Sequence, residues 1–299
     1  MTVYRASPVK RHRRTNDTLA VIDAAICRAV EDDHPVSLRG VYYRVVSAGA
    51  VEKTEAGYNV IMRQLLKLRR DGTIPYSYVT DGTRWISKPD SWDALDEMLD
   101  DAAASYRRAL WRNQEVEVMV FTEKDAISGI LYPITTRWDV PLGVMRGYAS
   151  ETFCYTIAEE ILSAYWRGKH VLVYQFGDHD PWGVEAWASF VEKVSAFVGA
   201  KSALPVGLLA EFERLAVTEN QIIQLSLPTR PTKKHTKKFA GESVEVDAIP
   251  AKILRELAEQ AITQHIDEDA LRLTEIAEKS ERDVLGRLAG IYGSDDRAQ

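Results

Sequence analysis

Two short apolar runs, each followed at once by acidic residues, constrain this chain more than any other feature. Val116-Glu-Val-Met-Val-Phe121 and Val171-Leu-Val-Tyr-Gln-Phe176 read as buried strands. Glu123 stands just past the first, and Asp178 and Asp180 stand just past the second. Helical sequence from Asp125, a strand near 140–145, a helix over 151–166 and a further strand over 212–217 fill the same region. Strands alternating with helices predict an α/β fold with a parallel sheet. Ligand sites in such sheets gather at the carboxyl ends of the strands.

Residues two apart in an extended segment point the same way, so Asp178 and Asp180 can face one point. His179 between them projects oppositely and is not expected as a ligand. Like charges held close raise each other's pKa unless a cation joins them. Oxygen-only donors favour Mg²⁺ or Mn²⁺ over zinc. Glu123, Asp178 and Asp180 are therefore the candidate metal ligands. An isolated Asp-x-Asp is commonly a surface turn, but a glutamate after one strand and Asp-x-Asp-Pro-x-Gly after another form a more specific pattern.

Ahead of the α/β region lies a basic front. Residues 1–90 hold 15 Lys+Arg against 10 Asp+Glu, whereas the remaining 209 hold 23 against 34, so a polyanion-binding module precedes an acidic one. Apolar spacing predicts a helix over 16–30, a second after Pro35 with Ser37 as N-cap and Gly49 as its stop, and a third after Thr54 ended by Gly72. Residues 74–79 and 84–86, around Asp81-Gly82, read as a hairpin. Three helices and a hairpin give the order of a winged helix, a helix-turn-helix variant whose third helix can enter the major groove. Arg63, Lys67 and Arg70 share the outer face of that helix, and Arg84 and Lys88 lie on or beside the wing. The alternative is a small helical domain with a solvated basic face. Residues 88–115 read as a connector with an amphipathic helix over 91–111. The expected division is thus a DNA-binding domain over 1–90, a connector over 91–115 and a metal-binding domain over 116–299.

Two further basic segments, residues 4–14 and the loop 228–243 with Lys233, Lys234, Lys237 and Lys238, are either phosphate contacts or solvated surface. Helical patterns fill 251–264 and 268–290. Two cysteines, Cys27 and Cys154, are too few for a disulfide framework or a four-cysteine zinc site. There is no apolar run of about 18 residues to span a membrane, no apolar stretch behind the basic start to make a secretory signal, and no phosphate-cradling P-loop for ATP. A cytoplasmic, nucleoid-associated protein is expected.

The acidic motifs resemble those of the Toprim domain, in the form found in the A subunit of topoisomerase VI and its meiotic double-strand-break relatives. Glu123-Lys124-Asp125-Ala126 matches a family strand end, and Gly177-Asp178-His179-Asp180-Pro181-Trp182-Gly183 matches its Gly-Asp-x-Asp-Pro-x-Gly. Arg214-Leu-Ala-Val-Thr-Glu-Asn-Gln221 and Glu245-Val-Asp-Ala-Ile-Pro250 look like two later family segments, and the likeness runs, with gaps, over residues 35–265. Arg39-Gly40-Val41-Tyr42-Tyr43 matches the family's Arg-x-x-Tyr-Tyr, whose second tyrosine is the nucleophile. Two positions depart from the pattern. Gly40 replaces an acidic residue, where a mid-helix glycine costs about 1 kcal/mol relative to alanine, and residues 45–50 replace the usual Leu-Phe…Gln.

The resemblance implies magnesium held by Glu123, Asp178 and Asp180, with Lys124 among the DNA contacts. It also implies attack on DNA by Tyr43, assisted by Arg39, to form a 5′-phosphotyrosyl link. In the family the tyrosine of one subunit works with the metal of the other, so a homodimer is implied. Strand passage would require a separate ATPase subunit. Two alternatives stand beside this transesterase: a Toprim metallonuclease in which water attacks and Tyr43 is dispensable, and a non-catalytic DNA-binding dimer with a structural ion. Tyr42 and Tyr43 would then be packing residues.

Overall fold

Capping side chains start the first three helices. In the computed structural model, which describes residues 15–80, 88–232 and 241–296, the Thr15 hydroxyl accepts from the Thr18 N–H at the head of α1 (Asn16–Asp33). The two-residue strand β1 (Val36–Ser37) leads into α2 (Leu38–Ser47), capped by Ser37 through the Gly40 N–H. Thr54 caps α3 (Glu55–Arg70) in the same way through Gly57. Gly49 and Gly72 follow α2 and α3 at φ of +72° and +83°, conformations that glycine adopts without steric penalty. Gly40 is the third residue of α2 rather than a mid-helix position, and it is packed closely: a Cβ there would lie 2.8 Å from Val36 Cγ2.

Two sequence expectations need correction here. Residues 76–78 form a 3₁₀ turn instead of extending a hairpin arm, and β2 (Val79–Thr80) pairs in parallel with β1, Val36 opposite Val79. The second arm of the expected hairpin, with Arg84, lies outside the described residues, as do residues 4–14 and the lysines at 233–238. The connector helix is also shorter than the sequence implied: α4 runs Leu95–Ser105, and a separate 3₁₀ turn covers Leu110–Asn113. Arg107 breaks it by donating to the Thr136 and Arg137 carbonyls, and Leu110 and Trp111 are buried beyond that point.

The central sheet is parallel throughout. β3 (Val116–Thr122), α5 (Asp125–Arg137), β4 (Leu142–Val144), α6 (Glu151–Trp166), β5 (His170–Phe176), α7 (Pro181–Ser202) and β6 (Ala210–Ala216) follow one another, with strand order β4-β3-β5-β6. The register aligns the carboxyl ends: Thr122 lies beside Val144 and Phe176, and Phe176 beside Ala216. Alternate side chains serve opposite faces. Met119, Phe121, Val171 and Val173 pack under α6 and α7. Val118, Val120, Leu172 and Tyr174 pack under α5 and α9 (Ala251–Thr263), in a core continuous with Ile22, Val41 and Ile61 of the first three helices.

Between β6 and α9 lie α8 (Glu219–Gln224) and a short antiparallel pair, β7 (Arg230–Pro231) with β8 (Glu242–Ser243). The final helix, α10 (Glu268–Asp296), lies along α4, where Glu281 accepts from Tyr106 and Arg108. Arg255 of α9 donates to the carbonyls of Asp33, His34 and Pro35, fastening the end of α1 to the sheet layer. No helix among the described residues is long and apolar enough to cross a membrane.

Candidate active site

β3 sends its chain to one side of the sheet and β5 sends its chain to the other, so a crevice opens between their carboxyl ends. Glu123 and Asp178 occupy that crevice. Glu123 Oε2 accepts from the Asp178 N–H at 2.9 Å. Two glycines leave room for it: a Cβ on Gly177 would lie 3.1 Å from Glu123 Oε2, and one on Gly183 would lie 2.9 Å away. Asp180 caps α7 by accepting from the Gly183 N–H at 2.8 Å, with Pro181 at the first helical position, where its missing N–H is no loss. Burial and the Asp178 charge, with a further contribution from Asp180, raise the Glu123 pKa above the ordinary carboxylate range. Burial also raises that of Asp178, against the pull of Lys124. The three carboxylates therefore share one electrostatic neighbourhood.

Lys124 stands in the middle of it. Its ammonium pairs with Asp178 at 2.8 Å and with Glu245 and Asp247 at 3.1 Å each. Burial works against that charge, but Asp247, Asp178 and Glu245 outweigh it and raise the pKa. Lys124 is thus engaged by three carboxylates and turned toward the site. Arg214, on β6, adds a second cation: it donates to the Asp178 carbonyl, while its Nε and Nη1 are buried without hydrogen-bond partners.

Glu245 joins this edge to the N-terminal helices. It lies in the segment after β8, where the Val244 backbone pairs with that of His179 and the Val246 N–H donates to Asp178 Oδ1 at 2.9 Å. Arg39 Nη1 meets Glu245 Oε2 at 2.6 Å, and Ser37 Oγ donates to Asp247 Oδ1 at 3.2 Å. Tyr43, one turn beyond Arg39, is 5 % exposed and lines the same cleft as Glu245, whose carboxylate acts on its phenol. Burial first, and the Glu245 charge second, push its pKa well above that of a free phenol, with Arg39 and Lys124 opposing. Tyr42 does something different. Its hydroxyl donates to the Thr54 carbonyl at 3.1 Å and its ring packs edge-on against Tyr58, so it braces α2 against α3.

A cleft of 360 Å³ opens over Tyr43, lined by Arg39, Lys53, Tyr58, Arg230 and Glu245 among others. Lys53 lies 5.3 Å from the centre of the Tyr43 ring. Arg230 reaches both ways, 3.5 Å from Glu245 and 3.5 Å from Asp180. Glu245, in the cleft over Tyr43, is therefore linked to Lys124 and so to Asp178, and through Arg230 to Asp180, all within one chain.

The donor chemistry suits a hard divalent cation, since every acid here offers oxygen, and the Glu123 and Asp178 pKa values are raised first by burial, with neighbouring acids adding to it. In the arrangement seen, both Asp178 oxygens are taken by Lys124 and the Val246 N–H, and among the described residues no three acidic, histidine or cysteine side chains close on one point as metal ligands. His179 is held through its backbone, and burial together with Arg214 lowers its pKa. On α3, Arg63, Lys67 and Arg70 are exposed, and Lys67 faces Asp23 at 3.3 Å.

Glu245, Asp247, Arg230 and Lys53 had not been singled out from the sequence as site residues. The available signal was Glu245-x-Asp247, which repeats the two-apart acids of Asp178-x-Asp180. Compared with known proteins, the chain matches no family model, and no curated protein is significantly similar to it.

Proposed function

We propose that this chain is a DNA-cleaving transesterase resembling the A subunit of topoisomerase VI, with Tyr43 as nucleophile and its N-terminal helices as a winged-helix-like DNA-binding element. One observation carries the reading: Tyr43 and Glu245 line one cleft together with Arg39, Lys53 and Arg230, and the same glutamate is tied to the acidic sheet edge. A tyrosine with only a packing role has no need of a cleft lined by a carboxylate and three cations.

Arg39 and Lys53 supply positive charge for the attacked phosphate and for the phenolate that forms during attack. Glu245, on the wall of the same cleft, would orient the hydroxyl and accept its proton. Glu123, Asp178 and Asp180 are the side chains that would hold a magnesium or manganese ion, whose chemistry when bound is to stabilise charge on the phosphate and the leaving 3′ oxygen. Attack by Tyr43 forms a bond to phosphorus as the bond to the 3′ oxygen breaks, leaving protein on the 5′ end. DNA is the partner, a homodimer is the proposed assembly, and strand passage would call on a separate ATPase.

Incubation of supercoiled plasmid with Mg²⁺ or Mn²⁺, resolved with and without protease, tests the proposal. Wild-type protein is expected to give nicked or linear DNA with protein on its 5′ ends, and Tyr43→Phe to abolish both. Free ends that persist in Tyr43→Phe would establish hydrolysis by water instead. Plasmid left intact by the wild type under both metals would reduce the chain to a DNA-binding protein.

A further inference from the structure

We infer that Trp182 and Tyr148 form a stacking platform for an unpaired nucleobase at the rim of the acidic site, making single-stranded or locally melted DNA the form that this site takes. The inference rests on the DNA-cleaving reading and narrows it.

Both rings leave the carboxyl edge of the sheet. Tyr148 follows β4, and Trp182 is the second residue of α7, which follows β5; β3, with Glu123 at its end, runs between those strands. Trp182 is 65 % exposed and Tyr148 50 % exposed. Their centroids are 6.5 Å apart with planes at 83°, an edge-to-face pair. The Tyr148 hydroxyl donates to Glu185 Oε2 at 3.3 Å, which fixes the tyrosine against the tryptophan. Such a contact covers part of the indole and leaves ring surface open to another flat group.

The surroundings point to a nucleotide. Arg146, two residues before Tyr148, is held by Asp125 through three hydrogen bonds of 2.8–3.1 Å while its side chain remains 72 % exposed, a positioned cation for a backbone phosphate. Glu185, bonded to Tyr148, and Arg146, two residues before it, put charge beside the rings, where a folded protein partner would more commonly meet a contiguous apolar patch. Trp182 lies two residues past Asp180, and Arg230, which lines the cleft over Tyr43, links Asp180 to Glu245. A strand lying on the platform is therefore next to the cleft that holds the nucleophile. Bases in a duplex have their faces covered by stacking, whereas unpaired bases offer them to aromatic side chains.

The test is fluorescence anisotropy at fixed salt, using labelled oligothymidine and a labelled hairpin duplex with full-length Trp182→Ala, Trp182→Phe and Tyr148→Ala. Trp182→Ala is expected to weaken oligothymidine binding about tenfold, Trp182→Phe to restore most of it, Tyr148→Ala to fall between, and duplex affinity to stay unchanged. Matching urea midpoints check that each variant folds. Unaltered oligothymidine affinity in Trp182→Ala, with normal duplex binding by the wild type, overturns the platform and leaves the DNA reading standing. Equal losses on both forms overturn the preference for unpaired bases. A wild type that binds neither form overturns the DNA reading itself, and self-association lost in Trp182→Ala, seen by sedimentation, replaces the platform with a protein contact.

Discussion

Gly183→Ala is the sharpest probe of how the acidic edge is built. The added Cβ would lie 2.5 Å from the Asp178 carbonyl oxygen, about 0.9 Å short of the 3.4 Å at which ordinary contact begins, and 2.9 Å from Glu123 Oε2. The carbonyl is backbone at the end of a central strand and cannot swing aside as a flexible side chain would. Relief must come from moving the start of α7, which breaks the Gly183 N–H bond to Asp180 and displaces Glu123. Overpacking of this kind costs about 1–3 kcal/mol. It outweighs the roughly 1 kcal/mol that alanine gains over glycine inside a helix.

Gly286→Ala supplies the opposite sign. Gly286 lies in α10 with nothing within 4 Å of an added Cβ, so only the helix-propensity gain remains, about 0.5–1 kcal/mol of stabilisation. Urea unfolding of the two variants beside wild type measures both. A Gly183→Ala midpoint at or above wild type would refute the close packing of Glu123 against the first turn of α7. Cleavage activity is expected to fall in Gly183→Ala and to be unchanged in Gly286→Ala.

Two other expectations follow from the electrostatics. Glu123 has its folded pKa raised, so its contribution to stability is present below the unfolded pKa and is lost as pH rises through the folded one; Glu123→Gln, which keeps an oxygen for the Asp178 N–H, is expected to be more stable than wild type by about 0.5–2 kcal/mol at pH 7 and equal to it in acid, and a thermal-melt difference that does not shrink on acidification counts against this. On α3, the Arg63→Ala, Arg70→Ala double variant should flatten the slope of log affinity against log salt by roughly 2 if each guanidinium meets a phosphate, while Lys67→Ala, already opposite Asp23, changes it less; identical slopes in all three proteins would remove α3 from the DNA interface.

What the sequence disclosed was local chemistry. Ser37, Thr54, Gly49 and Gly72 mark helix ends through their own side chains or lack of them, and the strands at 116–122 and 170–176 announce themselves by apolar content. α7 buries Ala186, Phe190, Val194 and Val198 at helical spacing, but further apolar residues at Trp182, Val184, Val191 and Phe197 blur the contrast with its outer face. The β1–β2 bridge joins segments some forty residues apart, and Arg107 ends the connector by reaching α5; neither long-range contact leaves a periodic trace. The site divides likewise. Glu123 and Asp178 follow long apolar strands and were legible, whereas Arg230 lies in a two-residue strand and Glu245 and Asp247 lie just past another, elements too short to leave a pattern and positioned by the fold around them.

The bond between Ser37 and Asp247 spans 210 residues, and that between Arg39 and Glu245 spans 206. Contacts of such separation are the slowest to form, because the intervening chain must first be gathered in. During synthesis the helix that carries Tyr43 therefore leaves the ribosome long before Glu245. A nascent or truncated polypeptide can carry Tyr43 but not the late segment with Glu245 that completes the wall of its cleft, so that cleft is lined only once the chain has been made well past its central sheet.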